Sequence, residues 1–250
     1  MIDIIDECGK DLTALGYKCR KEKEFDLEIC SLIVDNEQKR QETGFDIGEY
    51  LILNCPYLAL GGEIMLEYVA KNVAKAIKFL MDRNGLTKKS RILVVGLGNP
   101  KLLADSLGVK TLEYTKLQYF KKETRLFKFA PNIFFNTGIN SLDVVGMLSV
   151  CLDVDGVVII DSLATESVDR IACSIQLNTA GITPGSALNN LGKHIGRESL
   201  GLPCISIGVP LMFLGKKLGK EDLILTTKDI HENVDDLAYV IGKAINISFS

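Results

Sequence analysis

The sequence predicts an α/β fold, in which a mostly parallel sheet is sandwiched by helices and preceded by an N-terminal antiparallel extension. Two observations predict this fold class. The runs at residues 91–97 and 156–161 are almost wholly apolar, as strands are when helices cover both faces of a parallel sheet. From residue 91 onward, such strand-like runs alternate with helix-like segments, which is the pattern of right-handed crossovers between parallel strands.

The antiparallel extension is expected in residues 1–60 and the α/β core in residues 61–250, within a single domain. Residues 25–34 begin with the alternation of a half-exposed strand, and residues 47–54 are predicted as a second strand. The charged link between these two strands is expected to be a surface turn.

The core segments follow in chain order. The clearest helix is 63–83, because its apolar residues recur at spacings of three and four, and Gly85 suits its C-terminal cap. Later segments are predicted as helices near 104–117, 141–151 and 233–246, and as strands or apolar segments near 126–135, 171–177 and 203–209.

Composition argues against several classes of protein. The net charge of −3 and the pI of about 5.6 disfavour direct binding of nucleic acid, which needs a basic surface. Apolar runs fall short of the ~18 residues of a membrane span, and the acidic first residues do not resemble a signal peptide. We therefore expect a cytoplasmic protein without a membrane partner.

The seven cysteines are widely spaced and include no C-x-x-C pair, so a disulfide framework is not expected. Cys30, Cys151, Cys173 and Cys204 stand in apolar runs and are predicted to be buried, inert thiols. Only two histidines occur, which disfavours a His-rich zinc site. His194, among polar and basic neighbours, is expected at the surface.

Asp105 and Asp161 are the candidate catalytic residues, since each follows an apolar strand. Ligands of parallel sheets bind beyond the carboxyl ends of the strands, so the two carboxylates could meet in one crevice. Such a pair can perform acid–base chemistry on water or hold a metal ion. The alternative is that each aspartate only caps a local helix or turn.

Two glycine-containing loops accompany the aspartates. Gly96-Leu97-Gly98-Asn99-Pro100 follows a strand, but the third glycine of a dinucleotide motif would fall on Lys101, which disfavours nucleotide binding. The loop is otherwise explained by a tight turn that needs glycine dihedrals. The second loop, residues 179–186, could present backbone N–H groups to a substrate carbonyl. Alternatively, its glycines could serve only to form a turn.

Taken together, six segments of the chain resemble the spore germination protease family over about residues 25–247. No single segment is decisive, whereas their order and spacing are specific. The segments are Val94-Val95-Gly96-Leu97-Gly98-Asn99, Asp105-Ser106-Leu107-Gly108, Ile160-Asp161-Ser162-Leu163-Ala164, Ser174-Ile175-Gln176-Leu177, Gly181-Ile182-Thr183-Pro184-Gly185-Ser186 and residues 200–210.

The resemblance implies an atypical aspartic-type endopeptidase with a fold similar to that of the hydrogenase maturation proteases. Such a protein would degrade small acid-soluble spore proteins inside the spore or forespore, be made as a zymogen and form a homo-oligomer, a tetramer in the family. It would use Asp105 and Asp161 as the catalytic pair. The substrate-binding residues are then expected to be Gly96, Gly98, Asn99, Thr137, Gly138, Gly181, Thr183, Gly185 and Ser186.

No cofactor and no metal is predicted, because no histidine stands at a strand end that would match the nickel site of the hydrogenase proteases. Three departures from the family pattern leave other functions open. Thr183 stands where the family has histidine, Asn140 replaces a glutamate, and Leu191-Gly192 replaces basic residues. The alternatives are a metal-dependent hydrolase with the same aspartates as ligands, a non-catalytic binding protein on the same scaffold, and a nucleotide-binding protein.

Overall fold

A ten-stranded mixed sheet forms the centre of the fold in the computed structural model, which describes residues 13–120, 123–132, 134–185, 192–215 and 223–250. The strands lie in the order β1-β2-β3-β8-β9-β7-β4-β6-β5, and β10 pairs with β9. Their bounds are β1 Lys18–Lys21, β2 Glu28–Val34, β3 Gly48–Asn54, β4 Ile92–Gly96, β5 Gln118–Phe120, β6 Glu123–Phe129, β7 Gly156–Thr165, β8 Ser174–Asn178, β9 Cys204–Leu214 and β10 Ile224–Leu225.

The middle of this sheet is parallel. Strand β4 pairs in parallel with β6 and β7, and β7 pairs in parallel with β9. The antiparallel strands β1, β2 and β3 continue the same sheet, because β3 pairs with β8 and β8 with β9. The predicted fold class is confirmed, and the N-terminal extension is an outward continuation of the core sheet.

Helices cover the two faces unequally. They are α1 Glu37–Thr43, α2 Glu63–Arg83, α3 Leu107–Tyr114, α4 Phe134–Thr137, α5 Ser141–Cys151, α6 Arg197–Leu200 and α7 Ile230–Phe249. Helices α2, α3 and α7 form the main apolar core on one face, whereas α5 packs on the other face over β4 and β7. Within the described part of the chain, no helix has both the length and the apolar character to span a membrane.

Side-chain alternation along the central strands places one aspartate on the α5 side of the sheet. On β7, Val158 and Ile160 belong to the main core, whereas Val157 and Ile159 belong to the core beneath α5. Because successive strand residues point to opposite faces, Asp161 follows Val157 and Ile159 on the α5 side. The main core is therefore largely apolar, whereas Asp161 lies on the other face.

The prediction that residues 35–46 form a surface turn is wrong. They contain α1, whose N-terminus is capped by the Asn36 side chain, an acceptor for the Lys39 N–H at 2.9 Å. The helix ends at Gly44 in the left-handed conformation. The high charge of this short helix concealed it, because a seven-residue helix with one buried side chain shows no apolar period.

Two further element boundaries differ from the sequence prediction. The strand predicted at 126–135 ends at Phe129 and is followed by α4. The helix predicted at 104–117 is divided into a 3-10 turn, Leu103–Asp105, and α3. The division places Asp105 in the turn before the helix.

The prediction that Cys30 is a free, inert thiol is wrong. Cys19 and Cys30 lie opposite each other on the antiparallel strands β1 and β2 and are joined by a disulfide. Cys204 is buried as expected, Cys173 is half-buried, and Cys151 is exposed on α5. The disulfide could not be inferred from spacing, because the contact depends on the pairing of β1 with β2.

We expect Gly96→Ala to lower the free energy of unfolding by about 1–3 kcal/mol, since an added Cβ would lie 2.2 Å from the Gly108 carbonyl oxygen at the start of α3. The matched control is Gly146→Ala in α5, where the nearest atom to an added Cβ is 4.0 Å away. That variant should gain about 0.5–1 kcal/mol from helix propensity. Urea titrations of both variants measure the difference, and unchanged stability of Gly96→Ala would contradict the close packing.

Candidate active site

Asp105 is held against the end of β4 by a backbone turn. After Gly96 the chain reverses at Gly98, which has φ of +103°. The Asn99 N–H then donates to Asp105 Oδ2 at 2.9 Å. A Cβ at Gly98 would lie 1.9 Å from the Asp105 carbonyl oxygen, so both the positive φ and the close approach require glycine here.

Asp161 lies on β7, the parallel neighbour of β4. Its side chain is buried, and its Oδ1 accepts a hydrogen bond from the Ser162 N–H at 2.9 Å. The Leu97 N–H donates to the Ile160 carbonyl at 2.8 Å, which extends the pairing of the two strands to the residue before Asp161. Asp161 lies within β7, which continues to Thr165 instead of ending at residue 161 as predicted, and Asp105 lies in the turn between β4 and α3.

The first turn of α3 packs against the end of β4 and the middle of β7. A Cβ at Gly108 would lie 2.4 Å from the Ile160 carbonyl oxygen and 2.5 Å from the Leu97 nitrogen. Only glycine lets the helix approach this closely, and Asp105 lies three residues before it. The position of Asp105 relative to β7 is thus fixed by three backbone segments in contact.

Burial raises the pKa of Asp105 to about 6, and the hydrogen bond from the Asn99 N–H opposes this rise. A carboxyl group with this pKa holds its proton in weakly acidic solution, where an ordinary aspartate is ionised. Asp105 can therefore serve as a proton donor at a pH that leaves exposed carboxylates charged.

A cleft of about 420 Å³ lies beside Asp161 on the α5 side of the sheet. Gly208, the register partner of Asp161 on β9, and Leu163, two residues after Asp161, line it. The remaining walls come from α1 and the turn after it, from β3, β8 and β9, and from the loop after β8. Neither aspartate occurs among the described lining residues, and Asp161 adjoins the cleft through Gly208 and Leu163.

The predicted substrate-binding residues lie in several separate parts of the structure. Gly98 and Asn99 contact Asp105, and Gly96 is buried beneath α3, where close packing alone accounts for glycine. Gly181 and Thr183 line the cleft. Thr137 and Gly138 are exposed before α5, Gly185 lies in a turn with φ of +71°, and Ser186 lies outside the described residues. A role in substrate binding stays a prediction for all of these positions.

His194 lies in the cleft wall instead of on the open surface. Its Nε2 is 3.0 Å from the Ala180 carbonyl, and its Nδ1 is 3.1 Å from Thr183 Oγ1. Since a carbonyl can only accept, Nε2 carries the proton in this contact. The backbone bridge between Ile182 and Ile195 brings His194 to Thr183, and this pairing leaves no trace in the sequence.

Sequence reasoning also missed the polar residues that form the floor of the cleft. Gln176, Asn178 and Ser206 lie on β8 and β9, and all three are at least nine-tenths buried. A signal was present, because polar residues alternate with apolar ones along β8. Alternation of this kind shows that one face of a strand is polar, but it does not show that the face is enclosed.

Metal-ligating side chains cluster elsewhere. Within the described ranges, one group of three such side chains lies close enough to hold an ion, and it comprises Cys19, Glu28 and Cys30. Two of these three are joined in the disulfide, which removes their thiolates as ligands.

The match to a family model identifies the protein's relatives. The model for the germination protease matches residues 6–218. The chain belongs to the germination protease family. This is a family of peptidases, so the enzyme class predicted from the sequence is confirmed.

Individual germination proteases are similar over most of this chain. The protein from Caldanaerobacter subterraneus subsp. tengcongensis is 30% identical over 90% of the chain and 72% of its own length. Those from Oceanobacillus iheyensis and Clostridium perfringens are 31% and 29% identical, and the chain spans 57% and 68% of their lengths. Among solved structures, the [NiFe] hydrogenase maturation protease HycI from Thermococcus kodakarensis KOD1 matches with a TM-score of 0.40 and 18% identity, over 68% of this chain and 98% of that one.

Replacing Asp105 by asparagine should stabilise the fold at neutral pH. The raised pKa means that the folded state binds its proton more tightly than the unfolded chain, so wild-type stability falls as the pH rises from about 4 to about 6. Asp105→Asn removes this loss and keeps an acceptor for the Asn99 N–H. We expect a gain of about 1–3 kcal/mol at pH ~7.5 and none at pH ~4.

Urea denaturation at both pH values measures this effect. The matched control is Asp82→Asn on α2, an exposed aspartate, which should show no such pH-dependent gain. A gain for Asp105→Asn that is the same at both pH values would contradict a buried carboxyl group that titrates near neutrality.

Proposed function

We propose that the chain is an endopeptidase that hydrolyses small acid-soluble spore proteins, and that Asp105 and Asp161 carry out the reaction together. One observation carries the proposal: the segment that leads from β4 to Asp105 is hydrogen-bonded to β7 at the residue before Asp161, through the Leu97 N–H and the Ile160 carbonyl. Membership of the germination protease family supports it.

The two carboxyl groups take different roles. Asp105, with its raised pKa, is the protonated partner. Asp161 is ionised and accepts a proton from water as the water attacks the peptide carbonyl. Asp105 polarises that carbonyl oxygen and then supplies a proton to the leaving amine. Close carboxyl groups titrate as a coupled unit, and the release of one proton disfavours the release of the second.

The substrate chain would lie along the glycine-containing segments that border the aspartates. The backbone at Gly98, Gly181 and Gly185 carries no side chain that would hinder a substrate, and Thr137 and Gly138 stand before α5. In this arrangement the cleft receives residues on one side of the bond that is cleaved. The protein would act in the cytoplasm of the spore or forespore as a homo-oligomer, a tetramer in keeping with the family, and without direct contact to nucleic acid.

Asp105→Asn and Asp161→Asn should each reduce cleavage by at least about 100-fold, because each removes one of two groups that move protons in the transition state. The assay incubates purified small acid-soluble spore protein with each variant and identifies the fragments by mass spectrometry. Asp82→Asn is the matched control and should retain wild-type activity. Circular dichroism checks that all three variants are folded.

The same assay separates the competing functions. Cleavage at the wild-type rate by either active-site variant would refute the aspartate pair. Loss of activity with a chelator, restored by one added metal, would favour a metal-dependent hydrolase. Retention of the spore protein without any fragments would favour a binding protein.

The pH dependence of kcat/KM tests which aspartate holds the proton. If Asp105 is the acid, activity should fall as the pH rises through about 6, because its proton is then lost. Initial rates between about pH 4.5 and about pH 8 measure this limb. An increase in kcat/KM across the same range would instead assign Asp105 as the base and reverse the two roles.

A further inference from the structure

The floor of the cleft beside Asp161 is built from polar side chains of two buried strands. Ser206 on β9 is 1% exposed, and Gln176 and Asn178 on β8 are 5% and 8% exposed. Ser206 and Asn178 are register partners, so their side chains lie on one face of adjacent strands. Polar groups at such depth need hydrogen-bond partners.

Among the described residues, the buried oxygen of the Ser206 hydroxyl has no partner that meets hydrogen-bond geometry. The Cys204 thiol lies nearby, but a thiol is a weak partner for a hydroxyl. A buried hydroxyl of this kind that lines an open cleft is available to form a hydrogen bond with a ligand.

Asn178 supplies a second group with a fixed orientation. Its Oδ1 accepts a hydrogen bond from the Gly181 N–H at 2.9 Å, so its Nδ2 is left as the donor for a ligand. The floor therefore combines an amide donor with a hydroxyl that can donate or accept. A carboxamide is the complementary ligand, because its oxygen can accept from Asn178 while its NH2 group donates to Ser206.

The charges of the cleft disfavour a charged ligand at the floor. Arg40, a described residue of the cleft rim, forms salt bridges with Glu37 at 3.4 Å and with Asp46 at 3.1 Å. Both ring nitrogens of His194 are engaged by Ala180 and Thr183. A charged side chain would lose its water at the floor without gaining a countercharge, whereas a neutral carboxamide avoids that cost.

The strand register gives the distance between the cleft floor and Asp161. Asp161 pairs with Gly208, and Gly208 pairs with Gln176 on the next strand. Two strand spacings amount to about 10 Å, which an extended chain covers in about three residues. The cleft volume of about 420 Å³ accommodates a side chain together with its backbone.

We propose that this cleft is a specificity pocket for a carboxamide side chain, Asn or Gln, on a substrate residue within about three positions of the cleaved bond. Ser206 and Asn178 are its specificity-determining residues. The pocket rests on the proposed peptidase function for its substrate, but its ligand chemistry follows from the residues of the floor.

The test uses peptides of about ten residues around a cleavage site in small acid-soluble spore protein, in which each position within about three residues of the bond is replaced by Gln, Glu or Leu. At one position we expect kcat/KM for Gln to exceed that for Glu and Leu by about 10-fold or more. Ser206→Ala should reduce this preference to about 3-fold or less.

The matched control is Ser174→Ala, a buried serine on the same face of β8 whose hydroxyl donates to Asn54 Oδ1 at 2.7 Å. This variant should keep the Gln preference and lose thermal stability, whereas Ser206→Ala should be at least as stable as wild type, since it loses no hydrogen bond. A Gln preference that is absent, or unchanged in Ser206→Ala, would overturn the pocket.

Failure of the peptidase proposal gives a different result. If wild-type protein cleaves no peptide, the peptidase proposal fails, and the pocket is tested by binding of the uncleaved Gln and Leu peptides, measured by calorimetry. Tighter binding of the Gln peptide that disappears in Ser206→Ala would support the pocket. Equal binding of both peptides, or no binding of either, would overturn it.

Discussion

The contact of Gly108 with the end of β4 and the middle of β7 is the constraint on which the site depends. The Leu97–Ile160 hydrogen bond joins the residue after β4 to β7, and α3 begins directly against that bond. Because three backbone segments meet without a side chain between them, the turn that carries Asp105 has little freedom to move. Side chains anywhere along this contact would separate the helix from the sheet and Asp105 from Asp161.

One face of the sheet provides most of the stability of the fold, and the other face carries the polar residues of the candidate site. The face beneath α2, α3 and α7 is largely apolar, with Ser162 of β7 as a buried polar exception, so it supplies most of the hydrophobic stabilisation. The opposite face is apolar beneath α5 and becomes polar at Asp161 on β7 and at Ser206, Gln176 and Asn178 on β9 and β8. Stability contributed by the apolar face allows the other face to keep these buried polar groups.

Local sequence was sufficient for the parts of the fold that depend on local pattern. The buried runs of β4 and β7 and the period of α2 predicted the fold class, whereas the end of β7 was predicted at residue 161 and lies at Thr165. The Cys19–Cys30 disulfide, the cleft floor and the His194–Thr183 contact were missed, because each depends on strands or loops paired across the sequence. Helix α1 was missed for another reason, since its stability comes from capping and not from an apolar face.

The His194–Thr183 contact shows how the cleft wall keeps its shape. Added Cβ atoms at Gly181 and Gly196 would lie 2.8 Å and 2.6 Å from His194 Nε2, so the imidazole occupies a slot that two glycines leave open. The bridge between Ile182 and Ile195 holds the two sides of this slot together. The imidazole reaches this wall from a neighbouring segment of the chain and contacts Thr183. The ring packs against backbone on both sides, and so the wall is defined by main-chain geometry and not by the conformation of a long side chain.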